Sequence, residues 1–363
     1  MANTFSPATI DFHGQEVQAL AETVFEGFFQ KPALAAFHRI VPGIKAKKQV
    51  IILGAFTGLL GLGAGECDPT ANTSGFSVSQ KFWDPSTISD RIERCWTGAT
   101  GLQETFFIWA TNNGLAKSDL TATEYFAFLA DILEDAIAEC ILRLAYFGDK
   151  DAELIADGGV LTAGTPLAAF NRIDGYFVQL FAIVAADSAR KTVSDITAKN
   201  AEASYALQKF DATDTTNQVV LTALQDMITD ADYRLRDAAD KVIICTMSVF
   251  DQAVRELKRL SVHYTVEAIT QGIQSVTIDG VEVIGVSFLD RIIRTYQDNG
   301  TKYNLPHRAI LTTKTNLQIG TEEESTLSEF EAFYDKKSKK SIIDFQFNLD
   351  AQIGLDHLIQ AAY

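Results

Sequence analysis

The residue types that usually carry chemistry are thinly spread in this sequence. Five histidines, His13, His38, His263, His307 and His357, stand far apart, and none has the spacing that sets two imidazoles on one metal ion. No GxSxG nucleophile motif occurs, and the four cysteines, Cys67, Cys95, Cys140 and Cys245, form no CxxC pair. Gly58, Gly61, Gly63 and Gly65 have the composition of a phosphate cradle. A true cradle opens directly onto a helix, whereas this run continues into Cys67-Asp68-Pro69, so it reads as a loop. Asp131, Glu134 and Asp135 are close enough in sequence for acid–base work. With no companion base or metal ligand they fit a solvated helix face better. Lys336, Lys337, Lys339 and Lys340 form a basic cluster between two strand-like runs, where an exposed turn is the simpler reading. No catalytic, cofactor-binding or metal residue is therefore expected, and no enzyme.

The elements around these residues are more legible. Leu120–Gly148 carries apolar side chains at Tyr125, Leu129, Ile132, Ala136, Cys140, Leu144 and Phe147, the three-and-four spacing of a long amphipathic helix. Thr121 with Glu124 suggests a capping box, and Gly148 a left-handed stop. An earlier helical pattern spans Val17–Phe29. Gln49–Phe56 and Phe76–Trp83 read as strands that can pair as one long hairpin around the glycine-rich stretch Gly58–Gly75. Pro166–Ala185 suggests a helix or two; Asn217–Ala239 reads as one helix, Lys241–Met247 as a compact strand, and Ser248 as the cap of a helix over Val249–Leu260. Asp279–Gly280, set between alternating apolar residues, signals a hairpin with a primed turn. A strand is expected at Ala309–Thr313 and a hairpin over Phe330–Gly354. The second arm of that hairpin alternates cleanly, with Ile343 to Ile353 expected in the core and Asp344, Gln346, Asn348, Asp350 and Gln352 expected in water.

Composition sets the outer bounds. At 363 residues, 47% hydrophobic and 21% charged, the chain is globular and long enough for about two domains. A net charge of −16 argues against tight electrostatic binding of nucleic acid, which rests on Lys and Arg neutralising phosphates. Unpaired cysteines point to a reducing compartment. Val50–Ala64 mimics a membrane segment but is shorter than the ~20 residues a span needs and carries four glycines, so no membrane is expected; nor does the N-terminus suggest export.

The order of elements resembles the major capsid protein fold of tailed bacteriophages, the shell fold shared with encapsulins. Three stretches carry the resemblance: the long helix with its terminal Gly148-Asp149, the run ALQDMITDADYRLRDAADKVIICTMSVFDQAVREL, and the ending RAILTTKTNLQIGTEEE with the hairpin after it. The texture is similar to capsid proteins of phages of gut Bacteroidota, including crAss-like ones. The resemblance implies an α+β fold with an N-terminal arm (1–45), an extended E-loop hairpin (46–89), a peripheral domain (90–160 and 301–363) with its spine helix at 121–147, and an inserted axial domain (161–300). It implies a structural protein that self-assembles as hexamers and pentamers into an icosahedral shell around double-stranded DNA. Its partners would be other copies of itself and the portal, scaffold and decoration proteins of a virion assembled in the host bacterial cytoplasm, with DNA held by enclosure. No Lys–Asn crosslinking trio matches the sequence. An encapsulin-like compartment and a small-molecule enzyme on an α+β scaffold are the alternatives; the enzyme would need a deep pocket of convergent titratable groups.

Overall fold

The computed structural model describes residues 38–44, 47–53, 78–95, 102–116, 122–152, 161–260, 264–270, 272–322 and 329–363. The expected helix at Val17–Phe29, the stretch Gly58–Gly75, Thr121, Cys67, His13 and His263 lie outside these residues.

In chain order the first elements are strands: β1 (Arg39–Val41), β2 (Lys48–Leu53), β3 (Val78–Trp83) and β4 (Ser86–Cys95). Helix α1 (Leu102–Asn112) and the spine helix α2 (Ala122–Phe147) follow. A largely helical stretch comes next, with α3 (Tyr176–Ala186), α4 (Asp195–Ala201), α5 (Tyr205–Gln208), α6 (Ala212–Asn217), α7 (Val219–Asp230) and α8 (Tyr233–Arg236). Then come β5 (Lys241–Thr246), α9 (Met247–Arg259), β6 (Val266–Thr270), β7 (Ile273–Ile278), β8 (Val281–Val286) and α10 (Ser287–Tyr296). The chain closes with β9 (Ala309–Thr313), β10 (Leu317–Thr321), β11 (Glu329–Asp335), β12 (Lys340–Ile353) and β13 (Ile359–Ala362).

Strand β12, 14 residues long, organises the first sheet. One of its edges takes β11 and then β10, the other takes β4 along ten residues, and β1 adds to β10 in parallel. Its alternating face, Ile343, Phe345, Phe347, Leu349, Ala351 and Ile353, is buried in one core with Tyr125, Leu129, Leu133, Ile137 and Ile141 of α2. The helical spacing of the spine and the two-residue period of β12 thus present two apolar stripes to each other. At the far end of the spine, Tyr125 Oη and Ser341 Oγ are 3.0 Å apart.

The spine ends as expected at Phe147, for a different reason. Gly148 is not among the residues of positive φ. Its missing side chain is what matters: a Cβ there would meet the carbonyl oxygens of Leu144 at 2.5 Å and Ile173 at 2.6 Å. The Gly175 amide, at the start of α3, donates to the Gly148 carbonyl at 2.8 Å, so two helices meet backbone to backbone.

A second sheet, in the order β13-β9-β5-β8-β7-β6, holds six strands. Strands β5 and β8 are parallel, and the Asp279–Gly280 hairpin joins β7 to β8 with φ of 50° and 76°, the primed turn the sequence signals. The helices after the parallel strands go to opposite faces. Val249, Phe250 and Ala253 of α9 pack with Ile243, Cys245, Val281 and Val283, whereas Leu289, Ile292 and Ile293 of α10 join the core of Val242, Ile244, Ile284 and Val286.

Two local expectations are corrected. Asn217–Ala239 is not one helix: α7 stops at Asp230, Ala231 is extended, and the Asp232 carboxylate accepts from the Arg234 amide to start α8. Ser248 does not cap α9, which begins at Met247. Asp290, from α10, accepts from the Met247 and Ser248 amides at 2.5 and 3.3 Å, doing from another helix what a local cap does. Strands β9 and β13, late in the chain, belong to the same sheet as β5 and β8. Strand pairing across the sequence outweighs the chain's local segmentation.

Candidate functional site: the root of an outlying hairpin

Strands β2 and β3 pair only with each other among the described strands, running antiparallel from Lys48 opposite Trp83 to Leu53 opposite Val78. This is the hairpin the sequence suggests. A two-stranded ribbon is marginal in water, so its position must come from its root. Trp83 provides the first anchor. It is 2% exposed and lies over Gly320 of β10, where a Cβ would come within 2.7 Å of the indole ring; Ile44, 1% exposed, closes the same contact.

Polar anchors surround the indole. The Lys81 ammonium donates to the Ile353 carbonyl and to Asp356 Oδ1, each at 2.5 Å. Just past the strand, the Asp84 amide donates to Asp350 Oδ2 at 2.7 Å, and Lys150 Nζ donates to Asp84 Oδ2 at 3.0 Å. The Gln352 amide reaches the Phe82 carbonyl at 3.3 Å. These contacts bury the outer side of β12 at its far end. Asp350 and Gln352, expected in water, are 7% and 8% exposed, because the hairpin root lies on them. Burial pushes the Asp350 carboxyl up to about 6, against the two backbone amides that favour its ionised form. The hydrogen bond from Lys150, and its charge, hold Asp84 below the usual carboxylate range. At the root itself, Phe82 presents a ring that is 48% exposed.

The residues weighed for chemistry do not gather here. His38 is buried, its Nε2 3.0 Å from Tyr146 Oη; His307 is buried in the second sheet's half; His357 is partly exposed. Lys336, Lys337 and Lys339 are exposed in the β11–β12 turn, as expected. Asp131, Glu134 and Asp135 lie on α2, their side chains outside the described residues. Among the described residues no group of three or more His, Cys, Asp or Glu is placed to hold a metal, and no helix is long and apolar enough to cross a membrane. What sequence reading missed is the anchor set of Lys81, Trp83, Asp84 and Asp350. A Trp-Asp-Pro at a strand end was the only local sign of it.

No protein-family model and no curated protein sequence matches the chain. Solved structures do. The chain is similar to one from the satellite phage P4 procapsid with its size determination protein, at 11% identity and a TM-score of 0.52, over 99% of this chain and 93% of that one. The fold is the phage capsid fold. Lower likenesses are to the capsid of a native GTA particle (12% identity, TM-score 0.45, 91% and 89% covered) and to the holo-SrpI encapsulin complex of Synechococcus elongatus PCC 7942 (7%, 0.44, 92% and 87%). In this capsid fold the spine helix, the sheet organised by β12, the sheet centred on β5 and β8, and the outlying hairpin occupy one continuous chain.

Proposed function

We propose that the chain is the main structural subunit of an icosahedral phage shell, assembling as hexamers and pentamers and enclosing double-stranded DNA without catalysing a reaction. The observation that carries this is the outlying β2–β3 hairpin, clamped firmly at its root and paired with no other strand of its own described subunit. A two-stranded ribbon that also leaves Phe82 exposed near its root is poorly served alone and well served by a neighbour's surface. The likeness to the P4 procapsid chain, over nearly the whole length, supports the same reading. Residues 46–89 then form the E-loop, the sheet organised by β12 with the spine forms the peripheral domain, and the sheet centred on β5 and β8 forms the axial domain, taking β9 and β13 from the C-terminal part.

Net charge of −16 suits a container whose wall must not trap the genome, so DNA is held by enclosure. Portal, scaffold and decoration proteins of the virion are the remaining partners, and shells assemble in the cytoplasm of the host bacterium. Electron microscopy and light scattering of the purified chain test this. Rings or closed shells are expected; a stable monomer at micromolar concentration, with no particles in the micrographs, sinks it.

A further inference from the structure

We infer that the axial half of the chain holds a binding site for a phosphorylated aromatic small molecule of the nucleoside-phosphate class, in the cleft where β5 and β8 end. The cleft has a volume of about 550 Å³, within the range of ligand sites in proteins. Its position follows from topology. Neighbouring parallel strands whose following helices go to opposite faces leave a crevice beyond their carboxyl ends, because neither helix covers it; open α/β sheets bind ligands there. Strands β5 and β8 are such a pair, and Ser248 of α9, Asp290 and Arg294 of α10, and Pro306 and His307 before β9 line the opening.

The lining selects the ligand's chemistry. Lys209, Arg255 and Arg294 are exposed at the cleft, and none has a carboxylate within ion-pair distance among the described residues. Two acids, Asp251 and Asp290, share the lining; Asp290 accepts from backbone amides at the start of α9 and also faces the charge of Arg294. Three cations against two acids leave one positive charge in surplus. His307 adds no charge. Its Nε2 lies 2.6 Å from the Gln208 carbonyl, so it donates there, its Nδ1 lies 2.9 Å from Ser248 Oγ, and burial pushes the ring down to about 4, which keeps it neutral. Aromatic side chains form the rest of the wall: Phe210 lies 4.3 Å from the His307 ring and Tyr303 4.6 Å from the Tyr205 ring, centroid to centroid. An anion satisfies the cations, and a flat ring suits the aromatic wall; a nucleoside phosphate offers both.

The rim is rigid enough to recognise a shape. Asn200 exchanges hydrogen bonds with the His307 backbone at 2.7 and 2.9 Å, and Gln208 does the same with the Tyr303 backbone at 2.9 and 3.0 Å. These buried amides pin α4 and α5 to the loop before β9.

The test is calorimetric titration of the full-length chain, in whichever assembly state it is purified, with adenosine monophosphate, inorganic phosphate and adenosine as separate probes. This does not rest on the shell reading, and its failure leaves that reading untouched. Adenosine monophosphate should bind at one site per chain, at least tenfold more tightly than phosphate or adenosine. The double variant Arg255→Glu with Arg294→Glu should weaken it at least tenfold with an unchanged melting temperature. Should that variant not fold, Lys209→Glu alone, at an exposed position, should still weaken binding severalfold. Absence of binding overturns the proposal, as does phosphate binding as tightly as the nucleotide, or binding indifferent to these reversals.

Discussion

Asp350 stands on a strand whose alternation assigns it to water, yet the hairpin root covers it. Its carboxyl, ordinarily near 3.8, sits at about 6 in the folded chain. Between these values the folded state keeps a proton that the unfolded state has released. The stabilising contribution of this group is therefore full below about 3.8 and is lost as pH rises through about 6. Asp350→Asn keeps an oxygen for the Asp84 amide, takes away the one that accepts from the Ala351 amide, and removes the buried charge. Its stability relative to the parent chain should rise by on the order of 1–3 kcal/mol between pH 4 and neutral pH. Denaturant melts at the two pH values decide it; an equal difference at both would contradict the assignment. Gly148 makes the opposite point, since nothing but hydrogen fits between the carbonyls of Leu144 and Ile173. Gly148→Ala should cost on the order of 3 kcal/mol, because both obstacles are backbone and cannot swing away. A melting midpoint that barely moves would refute the helix-to-helix contact.

At the scale of elements, the local signals that proved reliable were those with one physical solution. Asp279-Gly280 between alternating apolar residues leaves little but a primed turn, and both residues adopt positive φ. Gly280→Val should lower stability by about 1–3 kcal/mol, the usual penalty of forcing that backbone on a branched side chain, as read from thermal melts. An unchanged melting temperature would exclude the turn. The spine and β12 were equally plain, because each repeats its period over many residues. Helix ends were not. The start of α8 depends on Asp232, whose carboxylate also lies 3.3 Å from Arg190, and the start of α9 depends on Asp290 from 43 residues away. No local pattern announces a cap delivered from another element.

For the whole molecule, the decisive feature is how the hairpin is held. Lys81 contributes little to global stability, about 1 kcal/mol, since it is one solvent-edged side chain making two polar contacts. It does fix the direction in which β2 and β3 leave the body. Lys81→Ala should therefore lower the yield of closed particles severalfold while shifting the melting temperature by only a few degrees. Particle counts by microscopy beside a thermal melt separate the two effects. Normal particle yield would show that the hairpin root does not govern assembly.

The sequence by itself determined the α+β class, the spine helix, the β2–β3 and β7–β8 hairpins, and the long alternation of β12, and its element order was enough for the capsid resemblance. Each of these is written in a local period or a short turn, which acts through neighbours in the chain. Only the tertiary structure decided that β9 and β13 complete the sheet of β5 and β8, that Asp290 caps α9, and that Lys81, Trp83, Asp84 and Asp350 form one clamp. It alone placed Lys209, Arg255 and Arg294 around one cleft. Those relations join residues tens to hundreds of positions apart, and composition and spacing carry no record of which distant surfaces will meet.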